Sequence, residues 1–354
     1  MEAKTKTLGS SLKVPIVQEL AKEKLSSIPS RYIRHDKDQL PPPDVSSKSE
    51  IPVIDMQKLF DPDSAESELL KLHDACVQWG FFQLINHGVD PSTIEMMKSE
   101  IQGFFNLPMD QKNEFRQREG EVEGYGQAFV VSEEQKLDWA DIFFAHTLPI
   151  HLRKPDLIPN LPASFRDAID AYSGELKKLA MKILNFMAKA LGMKPEEMEA
   201  LFDEGMQSMR MNYYPPCPQP DLVTGLCPHS DAVGLTILLQ INDMEGLQIK
   251  KDEFWVPVSP LPDAFVINIG DILEIITNGV YRSILHQATV NAEKERLSIA
   301  TFLSPKLEAE IGPSASLVGP ETPAKFKKIL SEDYFKGLFS RELDGKSYLD
   351  VMRI

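Results

Sequence analysis

The hydrophobic positions of the chain follow two periods, one helical and one strand-like. Between Phe165 and Ala190 apolar residues recur every three or four positions, and Gly192 follows; this predicts one long amphipathic helix with a glycine C-cap. After residue 205 the period shortens to two. The β-type runs are Ser208–Tyr214, Gly234–Gln240, Leu247–Lys250, Trp255–Val258, Ala264–Ile269, Ser283–Val290 and Leu297–Leu303. Several short, closely spaced strands predict a β-sandwich or barrel.

The rest of the pattern predicts mixed structure before this β-rich part and helices after it. A short amphipathic helix is expected over residues 16–25, and the proline-rich segment 39–52 reads as a linker. Strands are expected at Ile51–Met56 and Phe81–Ile85, each followed by a helix. The expected organisation is an N-terminal helix and linker (1–50), a mixed and helical region (51–204), a β-rich core (205–305) and a helical tail (306–354).

Composition and charge exclude several classes of protein. The 354 residues are 42% hydrophobic and 26% charged, as in globular proteins. No apolar run approaches the roughly 18–20 residues of a membrane span, and the N-terminus lacks the apolar segment of a secretory signal. Three cysteines and no N-x-Ser/Thr sequon fit a reducing cytoplasm, and a net charge of −15 opposes nucleic-acid binding. A cytoplasmic monomer without a membrane partner is expected.

Histidine and acidic residues supply a candidate metal site. With seven histidines and 53 acids in the chain, one His-x-Asp/Glu pair is expected by chance, and one is present, His229 with Asp231. The position of this pair is more informative than its occurrence, because it lies in the β-rich part of the chain. Residues two apart on a strand face the same side, about 6.6 Å from each other. His286 lies in a later β-type run that can return beside this pair. Two imidazoles and one carboxylate form a facial triad, which suits non-haem Fe(II).

Two further polar pairs have the same spacing of two. Arg296 and Ser298 would project from one face of a strand, and a guanidinium fork is a natural partner for a carboxylate. Asn212 and Tyr214 would project likewise and can donate hydrogen bonds to a carboxylate without adding charge. Each pair by itself is also compatible with surface or turn chemistry. Together they surround the candidate metal site.

Two other features of the sequence, an incomplete glycine-rich motif and Cys227, favour different interpretations. No complete glycine-rich nucleotide motif is present, because Phe129 replaces the third glycine after Gly124 and Gly126; this argues against a dinucleotide fold. Cys227 has the same parity as the candidate ligands, so a Cys-His-Asp zinc site is an alternative. Pro228 favours the start of a strand and places Cys227 outside the regular alternation. Cys227 is then an oxidisable neighbour of the site.

These motifs resemble those of the plant iron(II)- and 2-oxoglutarate-dependent dioxygenases along nearly the whole chain. The β-rich part contributes NYYPPCPQP (212–220), PHSD (228–231), Leu285–His286 and RLS (296–298). The N-terminal half contributes IPVID (51–55), WGFFQLINHG (79–88) and FFNLP (104–108). MRMNYYPPCPQP and ERLSIATF look most like the subgroup that contains the thebaine and codeine O-demethylases.

The resemblance implies a mixed α and β protein built on a double-stranded β-helix, a jelly-roll barrel flanked by helices. The iron ligands that it implies are His229, Asp231 and His286. The residues that it implies for 2-oxoglutarate are Arg296 and Ser298, supported by Tyr214 and Asn212. The aromatic candidates for the substrate pocket are Phe302, Tyr125 and Phe144.

The implied reaction uses Fe(II), 2-oxoglutarate and O2, with ascorbate as reductant, and releases succinate and CO2. Its substrate would be a small, bulky aromatic plant metabolite such as an alkaloid or flavonoid, which is either O-demethylated or hydroxylated. Two alternatives stay open: an iron oxidase that does not use 2-oxoglutarate, and a non-redox condensing or binding protein on the same barrel.

Overall fold

The computed structural model describes residues 11–23, 25, 27–34, 50–128, 130–339 and 345–354; most of the predicted linker lies outside them. The helices in this part are α1 (Val17–Leu20), α2 (Met56–Phe60), α3 (Ala65–Gln78), α4 (Pro91–Asn106), α5 (Met109–Asn113), α6 (Ala163–Ala190), α7 (Pro195–Phe202), α8 (Asp271–Ile276), α9 (Ser331–Phe339) and α10 (Ser347–Met352). The strands are β1 (Val53–Asp55), β2 (Phe81–Ile85), β3 (Gly124–Gly126), β4 (Asp141–Leu148), β5 (Met206–Tyr214), β6 (Leu226–His229), β7 (Leu235–Gln240), β8 (Leu247–Lys251), β9 (Phe254–Pro257), β10 (Phe265–Ile269), β11 (His286–Ala288), β12 (Arg296–Ser304), β13 (Glu310–Ile311) and β14 (Ile329–Leu330).

Two facing sheets form the centre of this mixed α and β fold. The larger has eight strands in the order β1-β2-β10-β7-β12-β5-β4-β3, and the smaller has four in the order β6-β11-β8-β9. The sequence predicts a sandwich or a jelly-roll barrel; two sheets are present, but no ladder joins them into a barrel among the described strands. The strands of the smaller sheet are short, and a register shift between His286 and Ala288 interrupts β11. The result is an open, two-sheet arrangement.

Helix α6 covers the outer face of the larger sheet and confirms the long helix that the apolar stripe predicted. It runs from Ala163 to Ala190, and Gly192 follows with a φ of +66°, the left-handed conformation that a C-terminal glycine permits. Its stripe includes the fully buried Tyr172 and Leu176. Burying each such side chain contributes about 1.5–3 kcal/mol, so the stripe fixes this helix against the sheet.

The N-terminal segment docks on the body through the carboxylate of Asp141. Its two oxygens accept hydrogen bonds from the backbone amides of Val17 and Gln18, at 2.9 and 2.7 Å, and so cap α1. The helix is shorter than the predicted 16–25. It ends in tighter i→i+3 bonds, from Lys22 to Glu19 and from Glu23 to Leu20.

The C-terminal tail crosses close to the end of β6. Gly345 forms a parallel bridge with His229, and the backbone amide of Ser230 donates to the Gly345 carbonyl. Lys346 and Arg353 both pair with the buried carboxylate of Glu274 on α8, each at 3.1 Å. No helix in the described part of the chain is long and apolar enough to cross a membrane.

Candidate functional site

The smaller sheet brings both candidate histidine ligands together. His229 ends β6 and His286 begins β11, and the two residues are antiparallel partners with ring centroids 4.3 Å apart. The spacing of two predicts Asp231 on the same strand as His229, but β6 ends at His229 and Asp231 lies in the loop that follows. The Oδ1 atom of Asp231 nevertheless lies 3.4 Å from Nε2 of His229 and 3.7 Å from Nε2 of His286. The three ligand atoms lie within 4.8 Å of one another.

Hydrogen bonds leave the Nε2 atoms of both histidines free for a metal. Nδ1 of His229 lies 2.8 Å from the Cys227 carbonyl, and Nδ1 of His286 lies 3.2 Å from the Ile284 carbonyl. Because a carbonyl oxygen only accepts, Nδ1 carries the proton in both rings and Nε2 keeps its lone pair. This is the tautomer that metal binding requires.

The charge states of the cluster also suit a cation. Burial, followed by the charge of His229, lowers the pKa of His286 to about 4, so that ring is neutral near pH 7. Burial opposes ionisation of Asp231, but the neighbouring His286 and His229 outweigh it and hold the pKa of this carboxyl well below its usual range. The cluster therefore offers one carboxylate oxygen and two imidazole nitrogens to a metal. That donor set fits non-haem Fe(II).

Cys227 does not join this cluster. The group of possible metal ligands that the described residues form contains His229, Asp231 and His286 but not Cys227. Burial raises the pKa of the Cys227 thiol to about 12. The alternative of a Cys-His-Asp zinc site is therefore wrong.

The second part of the site lies on the inner face of the larger sheet. Arg296 and Ser298 on β12 lie directly opposite Tyr214 and Asn212 on β5, so the two predicted pairs meet across adjacent strands. Nδ2 of Asn212 donates to Oγ of Ser298 at 3.2 Å, and the guanidinium of Arg296 lies over the Tyr214 ring at 5.2 Å. These four side chains form one polar patch.

Arg296 is a buried cation without an anionic partner among the described residues. Its side chain donates to Gln240 Oε1 at 2.9 Å and to Ser298 Oγ at 3.4 Å, both neutral groups. Its Nε atom is buried without a hydrogen-bond partner in the described structure, and the residue is only 3% exposed. An uncompensated buried charge is costly, so this patch is suited to an anion that enters from outside. A dicarboxylate such as 2-oxoglutarate supplies that charge.

One cavity of about 50 Å³ connects the metal cluster with this patch. Residues of both sheets line it, which places it between them. Phe302 also lines the cavity, on the same face of β12 as Arg296. Phe144 packs in a small apolar cluster against Phe302 and so lies behind this wall. Iron-binding, anion-binding and aromatic groups thus share one chamber.

Tyr125, the third aromatic candidate, lies elsewhere. It pairs with Phe143 across β3 and β4, and both side chains are fully buried in the core on the helical side of the sheet. The ring of Tyr125 contacts Phe104, with centroids 5.7 Å apart. Because successive residues of a strand face opposite sides, Tyr125 and Phe143 point away from the side on which Phe144 packs against Phe302. Tyr125 is not among the residues that line the chamber.

Three polar residues of the chamber were missed by the sequence analysis. Arg210 lies two positions before Asn212, lines the cavity, and has a buried Nε atom without a partner in the described structure. Thr236 and Asn268 line the cavity opposite each other on β7 and β10, and both donate to Asp231. The spacing of two that revealed Asn212 and Tyr214 extends to Arg210 and was the available signal.

Comparison with known proteins shows the same family along the whole chain. Residues 205–305 match the 2OG-Fe(II) oxygenase superfamily, and residues 51–161 match the N-terminal region described as non-haem dioxygenase in morphine synthesis. The chain is 66% identical to oxoglutarate-dependent flavonoid 7-O-demethylase 1 of Ocimum basilicum, over 99% of this chain and 94% of the relative. It is 54% identical to codeine O-demethylase of Papaver somniferum, over 98% of each.

A solved structure agrees with these relatives. The crystal structure of JOX2 in complex with 2OG, Fe and JA has a TM-score of 0.87 and 36% identity, and the match covers 97% of this chain and 98% of that one. The donor set of the triad and the unpaired guanidinium fit the same metal and co-substrate. The chain therefore belongs to the 2OG-Fe(II) oxygenase superfamily, in the plant subgroup of the codeine and thebaine O-demethylases, and is a 2-oxoglutarate-dependent dioxygenase that uses Fe(II).

Proposed function

We propose that this dioxygenase removes a methyl group from a bulky methoxylated phenolic metabolite of the flavonoid type. The observation that carries the proposal is the single chamber in which the His-Asp-His cluster, an unpaired buried guanidinium and an aromatic wall meet. We assign the chemistry to the β-rich core 205–305, a jelly roll covered by the regions 51–204 and 306–354, with segment 1–50 as N-terminal helix and linker. Two relatives named as demethylases support this reaction.

In this proposal His229, Asp231 and His286 bind Fe(II) through Nε2, Oδ1 and Nε2. With 2-oxoglutarate and O2 the bound iron supplies an oxidant strong enough to break a C–H bond, while ascorbate keeps the metal reduced. One oxygen atom of O2 enters succinate as CO2 leaves, and the other enters the methyl group. The resulting hemiacetal breaks down to a phenol and formaldehyde. The protein's part is to hold the groups in place and exclude water.

Arg296 then binds the far carboxylate of 2-oxoglutarate. Its two terminal nitrogens match the two carboxylate oxygens, and the cation-anion contact forms in a buried place where it is strong. Ser298, Asn212 and Tyr214 add neutral donors around the same carboxylate. Gln240, which accepts from Arg296, keeps the guanidinium plane in position.

The substrate-binding wall is Phe302, with Phe144 behind it. Arg210, one strand away from Phe302, places a positive charge on the same face. That charge favours a substrate with phenolate or carbonyl oxygens and disfavours a cationic alkaloid. A methoxylated flavonoid has both the flat ring for Phe302 and the acceptor oxygens for Arg210.

Replacing Phe302 by alanine tests the aromatic wall. We expect the KM for the aromatic substrate to rise about tenfold through lost stacking and apolar contact. Decay of 2-oxoglutarate without product should persist, because the metal cluster and Arg296 are unchanged. Initial rates over a substrate series, with succinate and product counted separately, measure both effects. Tyr125→Phe is the control and should leave KM unchanged; an unchanged KM in Phe302→Ala would remove this residue from the pocket.

The ratio of formaldehyde to succinate tests the reaction itself. With a methoxylated flavone we expect a ratio near one and loss of a methyl group in the mass of the product, and a methoxylated cationic alkaloid should react more slowly. A product heavier by one oxygen, without formaldehyde, would mean hydroxylation. Turnover with ascorbate but without 2-oxoglutarate would instead favour an iron oxidase, and turnover without O2 would favour a non-redox reaction.

We further propose that the enzyme acts as a cytoplasmic monomer without a nucleic-acid or membrane partner. The net charge of −15 disfavours polyphosphate partners. No disulfide joins Cys76, Cys217 and Cys227 in the described structure, as in proteins of a reducing compartment.

A further inference from the structure

The two carboxylate oxygens of Asp231 have different surroundings. Oδ1 faces Nε2 of both histidines, at 3.4 and 3.7 Å. Oδ2 instead accepts two short hydrogen bonds, from Oγ1 of Thr236 at 2.6 Å and from Nδ2 of Asn268 at 2.8 Å. Hydrogen bonds to a charged acceptor are about twice as strong as neutral ones, so Oδ2 is strongly held by the protein.

The two donors are built into the centre of the larger sheet. Thr236 on β7 and Asn268 on β10 are direct antiparallel partners, and each is only 3% exposed. Both side chains line the chamber but are almost wholly buried. Loss of either bond would leave a buried polar group unsatisfied, which keeps both side chains directed at Oδ2.

The backbone of Asp231 is anchored as firmly as its side chain. Its carbonyl accepts from the amide of Asp271 at 2.7 Å, at the start of α8. Gly270 permits this close approach, since a Cβ there would lie 2.1 Å from the Val233 carbonyl oxygen. With its main chain and one oxygen both fixed, Asp231 can present only Oδ1 to a metal.

This arrangement bears on how many coordination positions of a bound metal ion Asp231 would occupy. A free carboxylate can bind a metal through one oxygen or through both. One-oxygen binding by Asp231, with two histidines, leaves three open positions on a six-coordinate ion, and a chelating 2-oxo acid with O2 needs all three. Two-oxygen binding would remove one of them.

We propose that Thr236 and Asn268 are positioning residues that hold Oδ2 of Asp231 away from the metal and so keep the third position open. The inference rests on the proposed function, in which Asp231 binds Fe(II). It assigns a role in 2-oxoglutarate binding to two residues that are directed at Asp231 rather than at the Arg296 end of the chamber.

The test compares Thr236→Val, Asn268→Leu and the double variant with the parent protein under nitrogen. Calorimetry measures Fe(II) binding, and the visible absorption of the anaerobic Fe(II)–2-oxoglutarate chelate measures binding of 2-oxoglutarate, so no turnover is needed. We expect the metal-saturated double variant to bind 2-oxoglutarate about tenfold or more weakly, the scale typical of lost outer contacts to a metal ligand. Thr236→Ser, which keeps the hydroxyl, should restore the binding. Thr301→Val, equally buried but outside the chamber lining, is the control.

The outcomes separate this inference from the proposed function. Unchanged 2-oxoglutarate affinity in the metal-saturated variants would overturn the positioning role, as would loss of stability with no change in chelate absorption. If the double variant does not fold, the same criteria apply to Thr236→Val, which conserves volume. Asp231→Ala is measured beside them: Fe(II) affinity equal to that of the parent would overturn the ligand assignment itself.

Discussion

Replacing Asp231 by alanine is expected to abolish both Fe(II) binding and turnover. The variant removes the only carboxylate of the described metal cluster and leaves two imidazoles. The loss should exceed the roughly 10–100-fold that removal of an outer hydrogen-bond partner of a metal ligand causes. Calorimetry with Fe(II) under nitrogen, followed by succinate release in air, measures the two effects on one preparation.

The matched control is Asp243→Ala, which removes an exposed carboxylate outside the chamber lining. It should bind Fe(II) and turn over like the parent. Asp231→Asn adds a second comparison, because it keeps the shape of the side chain but not its charge and should also lose iron. Full turnover by Asp231→Ala without added carboxylate would contradict the proposed ligand set.

The period of two along the sequence predicted those chamber residues that lie on regular strands. Arg296 and Ser298 face Asn212 and Tyr214 across β12 and β5, as the period of two required. The antiparallel pairing of β6 with β11 then brings His286 beside His229. The long apolar stripe of α6 was predictable for the same reason, since a regular helix keeps its period over many turns.

Features that depend on where elements end were not predictable. Asp231 belongs to the metal cluster, as the spacing of two predicted. It lies, however, in the loop beyond the end of β6 and not on the strand itself. Closure of the sheet into a barrel depends on hydrogen bonds between edge strands, which the period of two does not encode. The position of Tyr125 outside the chamber lining was not predictable, because neither its residue type nor its position indicates which face of a three-residue strand is inward.

The positioning residues were missed for a different reason. Thr236 and Asn268 lie in mostly apolar strands, where a polar residue is compatible with many ordinary hydrogen bonds. Their shared role follows only from the fold, in which β7 pairs with β10 and both side chains donate to Asp231. A sequence alone shows each polar residue, but it does not show their shared acceptor.

Replacing Arg296 by lysine is expected to raise the concentration of 2-oxoglutarate required for half-maximal turnover by about tenfold or more. Lysine keeps the positive charge but loses the planar fork, and a hydrogen bond to a charged group contributes roughly 1.5–3 kcal/mol. Lysine also cannot reproduce the contacts that Arg296 makes with Gln240 and Ser298 together. Succinate release at increasing 2-oxoglutarate, with saturating iron and substrate, gives the measurement.

The expected signature is selective, because Arg296 is not a member of the metal cluster. Fe(II) affinity should be unchanged, and so should the KM for the aromatic substrate once 2-oxoglutarate is saturating. Arg282→Lys, at an exposed arginine outside the chamber lining, controls for the substitution. An Arg296→Lys enzyme with the 2-oxoglutarate dependence of the parent would mean that the far carboxylate binds elsewhere. The buried guanidinium would then need another anion, because its Nε has no partner among the described residues.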